Sequence, residues 1–333
     1  MSKTLIIQNL QGIGDTVWFI RHYHAIARAI KEQKVSILTR PRSMADKILQ
    51  YDPFIEEVLW LEMKPGIHDG VLGIWRLARL IRQNGFERVW ILHSRSLRYA
   101  LACRLAGVKY IYGPGIGLQQ YLLSRSVSLK KEEQKCHPIQ RGTLLLKRNG
   151  LSLGEEKSPL FVGETERQFI HTQMNQFPKP WIGLGIASSE AHKKWSWEHY
   201  VALGIALFKK HGGTFFIMGG MREKEEAQHI LKALLEEGVS SCAITDFSIN
   251  QSLALLQSLD FIVGNDTGIL HAAPMAGSKG LVLLGKSQVP IHHYAEVEGL
   301  RLTSDDKVQD LPNNLNDITV EKVLEKITLL GWV

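Results

Sequence analysis

Short apolar runs of strand length alternate along the first half of the chain with longer segments whose apolar residues recur at helical spacing. This alternation predicts parallel strands that are joined by helices packed on the sheet. We therefore expect a Rossmann-like first half. Its predicted strands are residues 5–7, 35–38, 57–60 and 89–92, and its predicted helices are residues 17–30 and 71–83.

The same alternation restarts in the second half and predicts a second unit of the same architecture. Between the halves, the segment 177–180 contains two prolines, which disfavour helix and indicate a linker. We expect the boundary near residues 165–180, with domains of residues 1–170 and 175–315 and a C-terminal segment of residues 316–333. The second half's predicted strands are residues 181–186, 214–218, 243–244, 261–263 and 280–284, and its predicted helices are residues 198–211, 223–237, 252–259 and 269–276.

Composition excludes several classes of protein. The 333 residues are 44% apolar and 22% charged, which is ordinary for a globular protein. No uninterrupted apolar run reaches the roughly 18 residues of a membrane-spanning helix, and the N-terminus runs directly into a strand, so we expect neither a membrane span nor a secretory signal. Cys103, Cys136 and Cys242 are far apart and form no CxxC pair, which favours reduced cytosolic thiols.

Charge differs strongly between the two halves. Residues 1–165 carry 25 Lys and Arg against 14 Asp and Glu, a net charge of +11, whereas residues 166–333 carry 15 against 19, a net charge of −4. A basic first half can attract an anionic partner, while the acidic second half argues against a nucleic-acid footprint over the whole protein. Solvated basic side chains without any partner remain the alternative.

Polar and glycine-rich loops follow four of the predicted strands. Parallel sheets bind ligands beside the carboxyl ends of their strands, so these loops are the expected binding residues. They are residues 12–16, 188–194, 219–223 and 265–271.

The first loop, which contains Gly12, Gly14, Asp15 and Thr16, opens a helix, and its glycines allow a ligand to approach the backbone closely. As a dinucleotide motif it lacks the third glycine, although an NADP site with Arg40 on the extra phosphate remains open. A carboxylate at Asp15 would repel a pyrophosphate but suits a general base that faces a hydroxyl substrate. The alternative role for Asp15 is to cap the helix.

The loop at residues 188–194 combines hydroxyl and ammonium groups at the end of a strand. Ser188 and Ser189 could donate hydrogen bonds to a diphosphate, and Lys193 or Lys194 could supply positive charge. A solvated loop before a helix capped by Ser196 is the alternative.

The two remaining loops carry acidic residues beside helix starts. Glu223 could accept hydrogen bonds from ribose hydroxyls or complement the helix dipole. Asp266, Thr267 and Gly268 precede a helix whose N–H groups could bind a phosphate or a sugar oxygen, while His271 in that helix is compatible with simple packing. No histidine or cysteine spacing is typical of a metal site, so we expect no metal cofactor.

Taken together, these motifs resemble the heptosyltransferases of glycosyltransferase family 9. The resemblance runs in order through Gly14-Asp15-Thr16, Lys193-x-Trp195, Gly219-Gly220 with Glu223, and Asp266-Thr267-Gly268-x-x-His271, and extends to Asp52-Pro53 and His137-Pro138-Ile139-Gln140-Arg141. It implies a GT-B fold, in which two Rossmann-like doubly wound domains face a cleft and the C-terminal helix packs back on the first domain.

The resemblance also implies roles for individual residues. Asp15 would be the general base in the acceptor domain, beside Gly12, Gly14 and Thr16, and Lys193 would stabilise the leaving diphosphate. Donor binding would fall to Ser188, Ser189, Glu223, Asp266, Thr267, Gly268 and His271.

The function that the resemblance implies is inverting, metal-independent transfer of heptose from ADP-heptose to the inner-core saccharide of lipopolysaccharide. The acceptor would be an anionic lipid-linked saccharide, reached by transient contact with the anionic inner face of the cytoplasmic membrane. Departures from the family pattern at residues 92–100 and 285–287 leave other sugars and acceptors open. An NADP-dependent oxidoreductase and a non-catalytic saccharide-binding protein remain the alternatives from other classes.

Overall fold

The protein is described by a computed structural model, which covers residues 2–65, 67–124, 129–154, 159–188, 190, 193–285 and 315–332, together with the backbone of residues 297–300. The chain divides into two compact units, Met1–Ser158 and Pro159–Val333. Among the residues described, no helix combines the length and apolarity that crossing a membrane requires.

Unit 1 is a five-stranded parallel sheet with the strand order β3-β2-β1-β4-β5. Its strands are β1 (Lys3–Ile7), β2 (Val35–Thr39), β3 (Ile55–Trp60), β4 (Phe86–Ile91) and β5 (Tyr110–Tyr112). Its helices are α1 (Ile13–Arg28), α2 (Ala45–Ile48), α3 (Gly70–Gln83), α4 (Leu97–Ala106) and α5 (Pro138–Arg148).

Helices cover both faces of this sheet, which is why residues 5–7 of β1 and 89–91 of β4 are buried and apolar. On one face, α3 and α4 pack against β1 and β4 in a single buried cluster. On the other face, α1 packs against α5 at Gly142, where an added Cβ would lie 2.9 Å from the ring of Phe19. Only glycine therefore allows this close approach of the two helices.

Unit 2 is a six-stranded parallel sheet with the order β11-β10-β9-β6-β7-β8, which is the doubly wound Rossmann order. Its strands are β6 (Trp181–Gly185), β7 (Thr214–Met218), β8 (Ser241–Ile244), β9 (Phe261–Asn265), β10 (Lys279–Leu283) and β11 (Val297–Leu300). Its helices are α6 (Glu164–Met174), α7 (Trp197–His211), α8 (Lys224–Glu236), α9 (Ile249–Ser258), α10 (Gly268–Ala276) and α11 (Val320–Leu329).

These two sheets confirm the predicted fold class of two Rossmann-like, doubly wound α/β domains, the domain type of a GT-B fold. The division between the units falls before the predicted linker, so α6 belongs to unit 2. The C-terminal helix was expected on the first domain, but Val323 and Ile327 of α11 are buried in the core of unit 2 beside α7.

The sequence pattern missed α2, α4, β5 and α5 in unit 1, and α6 and β11 in unit 2. Helix α4 has only two charged residues, Arg98 and Arg104, and no continuous polar stripe, whereas β5 has only three residues. Helix α5 begins at Pro138 in a polar segment. Helix α1 begins at Ile13 rather than at residue 17, so Gly14, Asp15 and Thr16 lie in its first turn.

Candidate functional site

The strand order of each sheet identifies the point where ligands are expected. The order reverses between β1 and β4 in unit 1 and between β6 and β9 in unit 2, and crevices form at the carboxyl ends of such strand pairs. Asp15 and His93 follow β1 and β4, while Lys193 and Asp266 follow β6 and β9. The predicted Asp15, Lys193 and Asp266 thus lie at the reversal point of their own sheet, whereas the predicted Glu223 follows β7.

Asp15 lies in the first turn of α1 and is held by the backbone that precedes it. Its Oδ2 accepts a hydrogen bond of 2.7 Å from the N–H of Gly12. A Cβ at Gly12 would lie 2.9 Å from the same oxygen, so the glycine makes room for the carboxylate. The half-buried Asp15 therefore caps α1 from within the helix, and its side chain has a fixed direction.

The other residues of this loop have different environments. Gly12 and Gly14 are partly exposed, whereas Thr16 is 1% exposed and its hydroxyl donates to the carbonyl of Ser43 at 3.3 Å. Thr16, predicted in the acceptor-side loop, thus connects α1 to the segment after β2, with its side chain directed into unit 1.

Arg141 and His93, which the motif analysis did not single out as functional, form a buried cationic site in unit 1. Arg141 on α5 is 8% exposed, and its Nε and Nη1 have no hydrogen-bond partner among the described residues. His93, directly after β4, is 4% exposed, and its Nε2 also has no partner among them. His93 lies beside α1, because its ring packs on Phe19 with centroids 5.3 Å apart, and α5, which carries Arg141, packs on α1.

Electrostatics favour an anion beside Arg141, the charged member of this pair. Burial, followed by the positive charges of Arg141 and His137, lowers the pKa of His93 to about 3. Burial and the nearby Arg95 also lower the pKa of Arg141, although a guanidinium stays charged at neutral pH. A desolvated cation without a counter-ion is costly, so a carboxylate or phosphate would be stabilised here. The signal in the sequence was the arginine on helix α5, one turn after His137.

In unit 2, the loop after β6 presents Lys193. Its Nζ lies 3.2 Å from Oε1 of Glu190, and its side chain is 27% exposed. The hydroxyl of Ser188 donates to the carbonyl of Glu190 at 2.8 Å, which folds the loop back on itself. Ser189 lies outside the described residues. An anion that enters this loop could take the place of Glu190 as the partner of Lys193.

Lys194 contacts a different partner. Its Nζ lies 2.5 Å from Oε2 of Glu226 on α8, where the glutamate side chain is 15% exposed. The two adjacent lysines therefore have distinct partners, one within the loop and one on a packed helix.

Asn265, at the end of β9, anchors this loop; it is the first residue of the predicted binding segment 265–271, but this anchoring role was not predicted. Its Oδ1 accepts from the N–H of Trp195 at 3.0 Å, and its Nδ2 donates to the carbonyl of Ile186 at 2.8 Å. Because Ile186 and Trp195 lie on either side of the loop, one fully buried side chain fixes both of its ends.

Asp266 and His271 form a buried pair at the start of α10. Nε2 of His271 lies 2.8 Å from Oδ1 of Asp266, with both side chains less than one-tenth exposed. His271 thus orients Asp266. Thr267 is the N-cap of α10, and its buried hydroxyl has no hydrogen-bond partner among the described residues. The hydroxyl, with the N–H groups at Gly268, could bind an oxygen of a phosphate or sugar.

Glu223 resembles Asp15 in its local geometry. Its Oε2 accepts from the N–H of Gly220 at 2.9 Å, three residues earlier. The sequence predicted two roles for Glu223, accepting hydrogen bonds from a ribose and interacting with the start of a helix. The contact with Gly220 corresponds to the second role. Across the described residues, no cluster of three or more His, Cys, Asp or Glu side chains could hold a metal ion.

Comparison with known proteins identifies the family. A model of glycosyltransferase family 9 (heptosyltransferase) matches residues 74–290. Lipopolysaccharide heptosyltransferase 2 of Escherichia coli K12 is 25% identical over 276 residues, covering 77% of this chain and 78% of that protein.

Solved structures share the fold over almost the whole chain. The E. coli ADP-heptose lipopolysaccharide heptosyltransferase II matches with a TM-score of 0.75 at 21% identity, covering 98% of each chain. A family 9 glycosyltransferase from Veillonella parvula matches with a TM-score of 0.79 at 17% identity, covering 99% of this chain and 97% of that one. The family match, and not the shared fold, favours a glycosyltransferase over the oxidoreductase and the non-catalytic binding protein. Because the family model spans more than half of the sequence, the chain belongs to glycosyltransferase family 9, the heptosyltransferase family.

Proposed function

We propose that the protein transfers heptose from ADP-heptose to the inner-core saccharide of lipopolysaccharide, with inversion at the anomeric carbon and without a metal ion. The observation that carries this proposal is the family match over residues 74–290. The names of the E. coli relatives supply the sugar, the nucleotide and the acceptor class.

On the acceptor side, Asp15 is the proposed general base. The Gly12 N–H holds its carboxylate in one direction at the carboxyl end of β1. In a single displacement, the acceptor oxygen bonds to the anomeric carbon while the bond to the β-phosphate oxygen breaks, and the hydroxyl proton passes to Asp15. ADP leaves from the opposite face of the sugar, which inverts the anomeric centre.

On the donor side, Lys193 is the proposed stabiliser of the leaving diphosphate. Negative charge grows on the diphosphate as the bond breaks, so a fixed cation lowers the energy of the transition state more than that of the bound donor. Ser188, Ser189, Thr267 and Gly268 are the proposed phosphate and sugar contacts. His271 supports the contact of Asp266 with the donor, and Glu223 would accept from the ribose.

The acceptor's negative charge has a matching group in unit 1. Arg141, buried without a counter-ion among the described residues, is the proposed partner of an acidic sugar or phosphate. We also propose that the protein contacts the anionic membrane that carries its acceptor, on the cytoplasmic side.

Product analysis tests this proposal directly. Purified protein is incubated with a panel of ADP- and UDP-sugars and deacylated lipopolysaccharide core acceptors, with and without excess EDTA, and the products are identified by mass spectrometry. We expect addition of one heptosyl residue from ADP-heptose that survives EDTA. Transfer from another nucleotide sugar alone would refute the donor assignment. Activity that EDTA abolishes and added Mg²⁺ restores would refute metal independence.

A further inference from the structure

The outer face of α3 is unusually apolar for a helix at a protein surface. Among the described residues of unit 1, five large apolar side chains are more than half exposed: Val71 at 75%, Leu72 at 68%, Trp75 at 60%, Leu118 at 68% and Tyr121 at 75%. Three of them occupy the first two turns of α3. Contiguous exposed apolar surface of this kind usually marks an interaction site.

Helical spacing brings the three α3 side chains together. Trp75 is four residues from Val71 and three from Leu72, so the three share one face of the helix. The opposite face is already buried in unit 1 through Leu77 and Ile81. The exposed trio is therefore a second apolar surface, beyond the one that packing in unit 1 requires.

The next turns of the same outer face are basic. Arg76 and Arg79 are exposed and form no ion pair within the described part of the chain, and α3 contains three arginines and no acidic residue. Arg82 is different, because its Nε donates to the carbonyl of Ala106 at 3.3 Å. Arg76 and Arg79 thus present positive charge directly beside Trp75. We name Val71, Leu72, Trp75, Arg76 and Arg79 the α3 surface.

The remaining two exposed apolar residues extend this side of unit 1. Leu118 and Tyr121 belong to the 3-10 helix Gly117–Leu122, which packs on α4, and α4 packs on α3. All five residues therefore belong to segments linked by packing to the helical layer on one face of the sheet.

We propose that the α3 surface docks on the surface of an anionic lipid bilayer. Aromatic and aliphatic side chains insert at the boundary of headgroups and acyl chains, while neighbouring arginines pair with anionic headgroups. Charge complementarity favours this occupant, because α3 carries only cations, the N-capping Asp69 is paired with Arg98 at 2.6 Å, and the first half of the chain carries +11. This assignment rests on the proposed function, in which the acceptor is carried by a membrane. It adds the surface through which the protein contacts that membrane.

Vesicle binding tests the assignment with matched variants. Full-length protein is sedimented with phosphatidylcholine vesicles that contain or lack phosphatidylglycerol. The Val71→Ser/Leu72→Ser/Trp75→Ser variant should lose about tenfold or more in partitioning to anionic vesicles, since each buried apolar side chain contributes substantially. Its control, Leu235→Ser/Leu329→Ser, removes exposed apolar side chains from unit 2 and should bind like wild type.

The role of the arginines and the insertion of Trp75 into the bilayer are tested separately. Arg76→Gln/Arg79→Gln should weaken binding to anionic vesicles by roughly tenfold, whereas Lys209→Gln/Lys210→Gln on α7, with the same loss of charge, should change it little. In wild type, lipids with brominated acyl chains should quench part of the tryptophan emission. Trp75→Leu should still bind the vesicles, but this quenched part of the emission should be absent.

Three outcomes would overturn the docking surface. The first is equal partitioning of the apolar triple variant and wild type. The second is self-association of wild type without lipid that the triple variant abolishes, which would assign the surface to a second copy of the chain. The third is loss of activity of the triple variant on a deacylated, water-soluble acceptor. A wild type that binds anionic vesicles but transfers no heptose would refute the proposed function alone.

Discussion

The hydrogen bond from the Gly12 N–H to Asp15 allows the proposed general-base role of Asp15 to be tested separately from its structural role. Asparagine can accept the same hydrogen bond through its carbonyl oxygen, so Asp15→Asn removes basicity while it preserves the start of α1. We expect kcat to fall by roughly 10²-fold or more, because general base catalysis commonly contributes about 10²–10⁴. Binding of the ADP-sugar, measured by calorimetry, should stay within a few-fold of wild type. A folded variant that loses nucleotide binding would instead give Asp15 a role in donor binding.

Lys193 and Lys194 differ in their partners, and the two alanine variants should differ accordingly. Lys193→Ala should lower kcat by about 10²–10³ and change the donor KM less, since one preorganised electrostatic contact in the transition state is lost. Lys194→Ala should leave kcat nearly unchanged and reduce stability by roughly 1 kcal/mol or less, because it removes the partner of Glu226. Steady-state kinetics and thermal melting of both variants measure this. The reverse ranking of kcat would show that Lys194 serves the diphosphate.

His93 makes the stability of the fold depend on pH. Its pKa is about 3 in the folded protein and ordinary, near 6.5, when unfolded. Below about pH 6.5 the unfolded chain gains a proton that the folded chain does not bind, so this contribution to stability falls as pH falls toward 3, by up to roughly 1.4 kcal/mol per pH unit.

Urea unfolding at about pH 7 and about pH 5.5 tests this linkage. The difference in unfolding free energy between the two pH values should shrink in His93→Leu. The exposed His229 on α8 supplies the control, and His229→Gln should keep the wild-type difference. An unchanged pH dependence in His93→Leu would contradict the burial of a neutral imidazole.

At the scale of elements, the loop between β6 and α7 depends on Asn265. Asn265→Ala leaves the buried N–H of Trp195 and the carbonyl of Ile186 without their partner, and each such loss costs about 1–3 kcal/mol. We expect a lower melting temperature and a donor KM raised by about tenfold or more, because Lys193 loses its fixed support. Both are measured on the purified variant.

The matched control removes a neighbouring anchor. Oδ1 of Asn316 accepts from the N–H of Ser196 at 2.7 Å, one residue beyond Trp195. Asn316→Ala should lower the melting temperature but leave the donor KM closer to wild type. If both variants raise the donor KM equally, Asn265 has no special role in positioning the loop.

At the scale of the whole molecule, the charge asymmetry of the sequence predicts different salt responses of the two substrates. The first half carries +11 and the second −4, and salt screens exposed charges over about 10 Å at moderate ionic strength. Rising salt should therefore increase the KM of the anionic acceptor more steeply than that of the ADP-sugar. If the KM values of the two substrates depend equally on salt concentration, the positive charge of the first half does not attract the acceptor.

The sequence by itself determined the two Rossmann-like units, because buried parallel strands and helices each leave a local periodicity. It also located the loops that follow β1, β6, β7 and β9, since a strand end is a local event. Asp15 and Glu223 were found in this way, and their capping contacts use only residues three positions apart.

Only the tertiary structure decided features that depend on contacts between distant segments. Asn265 reaches across 70 residues to Trp195, and Val323 and Ile327 join the core of unit 2 rather than of unit 1. Arg141 becomes an anion-binding candidate because helix packing buries it, and no local pattern records that burial. Periodicity reports which face of an element is apolar, but the partner of that face is set by the packing of the whole chain.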